Sequence, residues 1–301
     1  MELKHLVTFR TLAEELSFTQ TAVRLNYAQS SVSAQIQALE DELGAPLVER
    51  LGRRLRLTAA GEQFLDYTQR LLSLADEAYE SVAHNDRVTG TITIGAVESL
   101  CTYRLAPVLK AYRTRFPHVN MVFRTGICAD LRKAVWHGSL DLALTLEAPI
   151  TDPGIHTESL CPEPMRVLAP PDHPLTSYPV VAPNDFVGET LLLTEPGCSY
   201  RTMFEQALGT AGVHAPHVEF FSVEAIKQCV QAGLGITLLP AMAVQDELAQ
   251  GTLVALPWSG PAFPVVMQLA WHQDKWLSPA LFGFIEEARR YLAFHGKNPV
   301  E

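Results

Sequence analysis

The first fifth of the chain alternates short apolar periods with turn residues, as consecutive helices do. Apolar residues recur every three or four positions over residues 3–14, which predicts a helix. Ser17 is suited to cap a second helix over residues 19–25, and the dipeptide Asn26-Tyr27 follows as a turn. Two short helices joined by a tight turn are the outline of a helix-turn-helix, a motif that binds DNA.

A third helix is predicted to begin near Ser30 or Ser31, either of which can cap it, and to end at Gly44. Helical spacing predicts a buried stripe made of Val32, Ile36, Leu39 and Leu43. The opposite face carries short polar side chains, which suit contacts with base edges in the major groove. The candidate DNA contacts on this face are Gln29, Ser30, Ser31, Ser33 and Gln35.

A small hairpin is predicted over residues 50–57, with Gly52 at its turn. Four arginines fall between positions 50 and 56. We expect Arg53 and Arg54, at the hairpin tip, to contact phosphate or a neighbouring minor groove. With the three helices, this hairpin predicts an all-α winged helix-turn-helix as a DNA-binding domain over residues 1–58.

A long helix is predicted from Glu62 to about Val82, with Thr58 as its cap. Its apolar residues recur at a spacing close to 3.5 and form a seam: Phe64, Tyr67, Leu71, Leu74, Ala78 and Val82. A helix packed on its own domain would also show an apolar seam, but the length of this one favours pairing between two chains. Residues 59–89 are therefore predicted to link and to dimerise.

Strands and helices alternate after Gly90, which predicts a mostly parallel α/β region. One of its helices is expected over residues 100–116, ending before Pro117. The strand–helix unit repeats twice, with proline-rich crossings between the repeats, so we expect two lobes with a cleft between them. The predicted boundaries are 90–161 and 265–301 for the first lobe and 162–264 for the second.

Ligands of two-lobed α/β folds bind at the carboxyl ends of strands, where helix N-termini favour anions. Strand–helix junctions supply the candidate effector-binding residues Ser99, Thr102, Thr125, Cys198, Ser199 and Arg201. The hydroxyl groups would bind a carboxylate, and Arg201 would add charge if it points inward. Helix capping by the serines and threonines, and an ion pair for Arg201, are the alternatives. A small organic anion is the expected ligand.

The composition narrows the class of protein. The formal net charge of −10 argues against a non-specific nucleic-acid coat, while a local DNA-binding face stays compatible with it. No signal peptide and no membrane-length apolar run is visible, so the cytoplasm is the expected location. The five cysteines form no C-x-x-C pair, and no catalytic constellation stands out. We expect neither an enzyme, nor a metal site, nor a cofactor.

The ordered motifs resemble those of the LysR-type transcriptional regulator family along the whole chain. The N-terminal motif residues are Phe9, Ala13, Ser17, Phe18, Thr19, Thr21, Ala22, the run from Gln29 to Ser33, Ile36, Leu39, Glu40, Leu43, Gly44, Leu47, Arg50, Leu57, Thr58 and Gly61. The C-terminal motif residues are Val230, Ala232, Gly233, Leu234, Gly235, Ile236, Leu238, Leu239 and Pro240.

This resemblance implies a homo-oligomer, either a dimer or a dimer of dimers, that binds double-stranded promoter DNA. It also implies an effector-binding domain of periplasmic-binding-protein type over residues 90–301, through which a small molecule controls transcription. Many relatives carry proline where this chain has Ser30 and a basic residue where it has Ala34. These two departures bear on the target sequence and leave the mode of binding unchanged.

Two other functions are compatible with parts of the sequence. A thiol at a helix N-terminus is acidified, so Cys198 suggests a cysteine-based redox-sensing regulator as the alternative to effector control. A solute-binding transport protein or an enzyme would fit residues 90–301 alone. Such a protein should carry an export signal or a catalytic constellation, and neither is visible; a fold by itself does not settle function.

Overall fold

The computed structural model describes residues 1–51, 54–82 and 88–293. The predicted hairpin turn at Gly52 and the candidate DNA contact Arg53 lie outside these residues, as does most of the predicted linker before Gly90. The chain divides into two compact units. The first unit comprises Met1–Asp86 and Trp136–Ser139, and the second comprises Arg87–Val135 and Leu140–Glu301.

The first unit begins with three helices: α1 (Leu3–Glu15), α2 (Phe18–Leu25) and α3 (Gln29–Leu43). The Ser17 hydroxyl accepts a hydrogen bond from the Gln20 amide at 3.3 Å, which confirms the predicted cap of α2. The predicted serine cap of α3 is wrong, because the helix starts at Gln29 and its N-cap residue is Ala28, two positions before Ser30. Gly44 ends α3 in the left-handed region, at φ +69°.

The core of this unit is apolar and draws on every helix. Val32, Ile36 and Leu39 are buried as predicted, whereas Leu43 is exposed, which makes the last position of the predicted stripe wrong. The helix ends at Leu43, so its side chain lies beyond the turn that packs on the domain. The buried stripe fixes which face of α3 points outward.

A hairpin and a long helix complete the first unit. The hairpin pairs β1 (Val48–Leu51) with β2 (Arg54–Leu57) in antiparallel register, and the long helix is α4 (Ala59–Val82). The Thr58 hydroxyl accepts a hydrogen bond from the Gly61 amide at 2.9 Å, so the predicted cap of α4 is confirmed. A Cβ atom on Gly61 would lie 2.0 Å from the Leu47 carbonyl oxygen, which explains why glycine occupies this turn.

The second unit contains two lobes. The chain first builds part of lobe I: β3 (Gly90–Ala96), α5 (Glu98–Tyr103), α6 (Leu105–Arg115), β4 (Val119–Thr125), α7 (Cys128–Trp136), β5 (Leu142–Glu147) and β6 (Ile155–Pro162). It then builds lobe II: β7 (Met165–Ala169), β8 (Leu191–Leu193), α8 (Ser199–Thr210), β9 (His217–Glu219), α9 (Val223–Gln231), β10 (Thr237–Pro240), α10 (Gln245–Gln250) and β11 (Val254–Ala255). It returns to lobe I with β12 (Val266–His272) and α11 (Pro279–Leu292).

The sheets are mixed, which corrects the expectation of a mostly parallel region. In lobe I the strand order is β4-β3-β5-β12-β6, and β3 is parallel to both its neighbours. Strand β12 is antiparallel to β5 and β6, because it brings the chain back from the other lobe. Lobe II contains an antiparallel sheet β10-β7-β11 and a parallel pair β8-β9.

The strands and helices alternate after Gly90, as the sequence predicts. The single helix expected over residues 100–116 is two helices, α5 and α6, separated at Arg104. Pro107 supplies the reason, since proline has no amide hydrogen to continue the ladder but fits the first turn of a new helix. The break places the start of α5 at the end of β3.

Candidate functional site

The front of α3 is the first candidate site. Gln29, Ser30 and Ser31 form its first turn and are exposed, while Val32 directly behind them is fully buried. The Gln29 side-chain amide donates a hydrogen bond to the Ser33 hydroxyl at 3.1 Å, so these two residues lie along one edge of the helix. This turn presents amide and hydroxyl groups, which can donate to and accept from base edges.

Gln35 differs from the other candidates on α3. Its carbonyl oxygen accepts a hydrogen bond of 2.6 Å from the hydroxyl of Thr8, a fully buried residue of α1. The Gln35 side chain is therefore held partly against the neighbouring helix. The face available to DNA is narrower than the sequence suggested and centres on the first turn of α3.

The hairpin carries exposed basic side chains. Arg54 and Arg56 are both exposed and lie on the same face of β2, and neither forms an ion pair with another described residue. The Arg50 guanidinium lies 5.7 Å from the centre of the Phe18 ring. Arg54 is one of the two arginines predicted to contact phosphate or a minor groove. Arg56 is exposed on the same side of the hairpin, because strand residues two apart share a face.

The second candidate site is a cavity between the two lobes of the second unit. It lies where α5, α7, α8 and α9 begin, so several helix N-termini meet there. Its walls are formed by Val97, Glu98, Ser99, Ile127, Cys128, Leu146, Thr194, Glu195, Cys198, Ser199, Tyr200, Phe221 and Val223. The enclosed volume is about 20 Å³, the size of a single water site.

The structure brings three of the six predicted effector residues into this cavity: Ser99, Cys198 and Ser199. Thr102 is exposed, and its hydroxyl donates to Glu98 at 3.2 Å. Thr125, the last residue of β4, is also exposed. The predicted placement of both threonines in the pocket is therefore wrong. The three residues that do line the cavity lie at the start of α5 or α8, whereas Thr102 lies near the end of α5 and Thr125 is still part of β4.

Arg201 does not line the cavity either, although it is buried. Its guanidinium donates to Glu205 at 3.0 Å, to Glu219 at 2.9 Å and to the Thr194 carbonyl at 2.5 Å. These contacts tie α8 to β9 and to the end of β8. The inward orientation considered for Arg201 is wrong, and the ion-pair alternative is correct, because three acceptors of lobe II already surround the guanidinium.

Direct contacts hold the two lobes together around the cavity. The Ser199 hydroxyl, at the start of α8, donates a hydrogen bond to the Leu146 carbonyl at the end of β5. At the rim, the Tyr103 hydroxyl of lobe I donates to the Glu224 carboxylate of lobe II. A change in lobe spacing must break these contacts.

The cavity is acidic rather than basic. Glu98 and Glu195 contribute carboxylates to its wall, and none of its described lining residues is a lysine, arginine or histidine. Burial raises the pKa of Glu98, and the negative charges of Glu224 and Glu195 raise it further. Glu98 was not among the predicted effector residues, although it lies between Val97 and Ser99 in the same junction of strand and helix that identified Ser99.

Two thiols line the cavity, and burial makes both of them weak acids. It raises the pKa of Cys128 to about 12, and it also raises the pKa of Cys198. The expected acidification of Cys198 by the helix N-terminus is therefore wrong, because the loss of water around the thiolate outweighs the helix dipole. Only the thiolate is a good nucleophile toward peroxide, so the geometry does not favour redox sensing by Cys198.

We expect Cys198 to stay reduced when the folded chain is treated with low concentrations of hydrogen peroxide. Its thiol is 8% exposed and protonated at neutral pH, so oxidation to a sulfenic acid should be slow. Mass spectrometry after trapping of sulfenic acids measures this. The urea-unfolded chain, in which the same thiol is exposed, is the control and should react readily. Selective modification of Cys198 in the folded chain would support the redox alternative instead.

Comparisons with known proteins bear on both sites. A family model described as "Bacterial regulatory helix-turn-helix protein, lysR family" matches residues 3–62, and one described as "LysR substrate binding domain" matches residues 85–293. The chain belongs to the LysR family of transcriptional regulators. This confirms the resemblance drawn from the ordered motifs, and it makes the protein a member of a family of regulators rather than of enzymes.

The sequence similarity to other LysR-family proteins covers nearly all of the chain. An HTH-type transcriptional regulator of Bacillus subtilis, YwqM, is 47% identical over 291 residues, covering 96% of this chain and 99% of its own. GltR, also of B. subtilis, is 31% identical and covers 97% of both chains. CbbR of Xanthobacter flavus is 34% identical and covers 90% of this chain and 83% of its own.

Solved structures of LysR regulators share the fold. A full-length OxyR variant from Pseudomonas aeruginosa superposes with a TM-score of 0.75 at 25% identity, covering 100% of this chain and 99% of the other. Full-length BenM superposes with a TM-score of 0.54 at 29% identity, covering 96% of each chain. The expected fold class, a winged helix-turn-helix with a long helix and a two-lobed α/β domain, is thereby confirmed.

Within the described ranges, no helix has both the length and the apolar character required to cross a bilayer. Among the same residues, no cluster of three or more histidine, cysteine or acidic side chains has the placement of a metal site.

Proposed function

We propose that this LysR-family protein binds promoter DNA through the front of α3 and is switched by a small effector in the cleft between its lobes. The observation that carries the DNA-binding part is the exposure of Gln29, Ser30 and Ser31, directly in front of the fully buried Val32. A helix anchored by one stripe and exposed at its polar start has the form that enters a major groove.

We assign separate roles to three segments: residues 1–58 bind DNA, 59–89 link and dimerise, and 90–301 sense. Exposed apolar side chains on α4 support the dimerisation role, since Tyr67, Leu71 and Leu74 lie at the predicted seam spacing outside the core of their own unit. A dimer with two recognition helices predicts a site with dyad symmetry and half-sites in successive major grooves. A footprint without such symmetry would contradict this arrangement.

The switch follows from the closed state of the lobes. A cavity of about 20 Å³ is too small for an organic effector, so binding requires the lobes to part. The effector would replace the hydrogen bond from Ser199 to Leu146 and favour another arrangement of the lobes or subunits. That shift in population would respace the DNA-binding domains. Helix N-termini at the cavity support an effector that carries an anionic group.

Two substitutions on the DNA-contacting face should have different signatures. Gln29→Ala removes a candidate base contact and should weaken binding to the preferred genomic fragment by about 10- to 100-fold. It should have little effect on binding to unrelated DNA.

Arg54→Ala removes a candidate phosphate contact, so it should weaken binding to all sequences and reduce the slope of log affinity against log salt by about 1. Fluorescence anisotropy across a salt series, after selection of a bound genomic fragment, measures both.

Gln37→Ala is the matched control for the first substitution. Gln37 is an exposed glutamine of the same helix, but its amide donates to Asp41 at 2.8 Å, two turns from the front. The control should bind the selected fragment as the unchanged chain does. Equal losses from Gln29→Ala and Gln37→Ala, or a chain that retards no genomic fragment in gel shifts, would contradict the proposed role of α3.

A further inference from the structure

Within the part of the chain that the structure describes, the wall of the interlobe cavity contains carboxylates but no basic side chain. Glu98 and Glu195 are ionisable acids, and the other polar lining side chains are hydroxyls and thiols. The buried cation whose charge acts on Glu98, Lys227, is already neutralised, because its ammonium lies 2.7 Å from Glu224 and 2.6 Å from Glu247. Among the described residues, the cavity therefore has acceptors for a cation and no basic side chain for an anion.

Two buried oxygen atoms at the cavity have no hydrogen-bond partner among the residues that the structure describes. One is Oε2 of Glu98; the other oxygen of this carboxylate accepts from Thr102. The second is the hydroxyl of Thr194, a residue only 5% exposed, which lies beside the Cys198 thiol but makes no hydrogen bond of acceptable geometry. Buried polar atoms are usually paired, and an unpaired one in a cavity wall points to a ligand atom.

A simpler role for Glu98 is to stabilise the start of α5, but this role does not explain why one oxygen of its carboxylate is buried without a partner in the described part of the chain. As the first residue of α5, its carboxylate complements the positive end of that helix. An exposed carboxylate would serve that role without desolvation. Glu98 instead places one oxygen in the cavity wall, where burial raises its pKa. This placement destabilises the charged carboxylate in the absence of a partner.

The start of α8 provides the complementary feature. This helix has 12 residues, and Cys198 at its N-cap makes no side-chain capping hydrogen bond. Its first amide groups and the Ser199 hydroxyl are therefore suited to an anionic group. The Ser199 hydroxyl donates to Leu146 across the cleft in the closed lobes, and it is released when they part.

We infer that the effector is a small zwitterion of the α-amino acid class, whose carboxylate binds at the start of α8 and whose protonated amine binds Glu98. The inference rests on the proposed role of the cleft as the effector site, and it specifies the second charge of the ligand. The amine would pair the free oxygen of Glu98, and the Thr194 hydroxyl is placed to bind either end. A simple anion would instead leave this oxygen of Glu98 without a donor.

The test uses the purified full-length chain and two sets of probes. The proteinogenic L-α-amino acids form the first set, and the corresponding carboxylic acids without the amine form the second. Thermal shift identifies binders, and calorimetry measures their affinities. We expect at least one amino acid to bind, and we expect removal of its amine to weaken binding by about 10- to 100-fold, as for loss of a hydrogen bond between charged groups.

Glu98→Gln tests the residue itself, since it keeps the size of the side chain and removes the charge. It should weaken binding of the amino acid by a similar factor and leave the affinity of the deaminated acid nearly unchanged. Asp130→Asn is the matched control, because it removes an exposed first-turn carboxylate from α7, outside the cavity. This control should bind the amino acid normally. The comparison of the two probe sets on the unchanged chain stays decisive if Glu98→Gln fails to fold.

Three results would overturn the inference. The first is that the deaminated acids bind as tightly as the amino acids. The second is that the Glu98→Gln variant binds the amino acids with unchanged affinity. The third is that no amino acid binds. In each case, retention of sequence-specific DNA binding would leave the regulator assignment standing. Failure to bind any genomic fragment would count against the proposed function instead, so the two failures are distinguishable.

Discussion

Replacement of both Leu71 and Leu74 by glutamate is expected to convert the proposed dimer into monomers and to weaken binding to promoter DNA by about 100-fold or more. Leu71 is 38% exposed and Leu74 is 62% exposed within their own unit, so only a second chain paired along α4 would bury them. Full burial of a leucine contributes about 1.5–3 kcal/mol, and each chain of a dimer contributes two. A monomer also presents one recognition helix instead of two.

Mass photometry measures the oligomeric state, and anisotropy on the selected fragment measures DNA binding. Gln69→Glu is the control, since it adds a negative charge to α4 about 200° around the helix from Tyr67. This control should stay dimeric. A double glutamate variant that remains dimeric and binds DNA with unchanged affinity would place the pairing surface outside the α4 seam.

The helices of the first unit were predictable because their signals are local. Ser17 and Thr58 cap the helices that follow them, and the apolar spacing identified the buried Val32, Ile36 and Leu39. The errors concern helix ends, where propensity is weak. Serines at positions 30 and 31 satisfy a capping pattern, but α3 begins before them at Gln29, so both serines lie in its exposed first turn.

The cleft was predictable only where a candidate directly adjoins the end of a strand or the start of a helix. Ser99, Cys198 and Ser199 meet that condition, and each lines the cavity. Thr194 directly follows β8 and also lines the cavity, so the same condition would have identified it. The contribution of Tyr103 depends on how lobe II packs against lobe I, which no local pattern encodes. Arg201 was ambiguous for the same reason, since its partner Glu219 lies 18 positions away on β9.

Arg201→Ala should lower the free energy of unfolding of the second unit by about 2–3 kcal/mol, while effector affinity changes little. The substitution leaves Glu205 and Glu219 without their cation and the buried Thr194 carbonyl without a donor. Loss of one partner from a buried pair costs about 3–5 kcal/mol, and partial hydration of the two glutamates reduces that cost here. Differential scanning calorimetry should show a melting temperature lower by about 4–12 °C.

Arg289→Ala is the matched control, because Arg289 forms an equally short two-pronged pair with Glu158, at 2.8 and 2.6 Å. Its side chain is 42% exposed, against 8% for Arg201, so water replaces much of the lost interaction and the expected cost is below about 1 kcal/mol. The difference between the two variants then isolates burial as the cause. An Arg201→Ala chain that keeps its stability but no longer binds any effector would contradict this assignment and make the guanidinium a ligand contact. The reason is that loss of a side chain needed only for the packing of lobe II must lower the stability of the second unit.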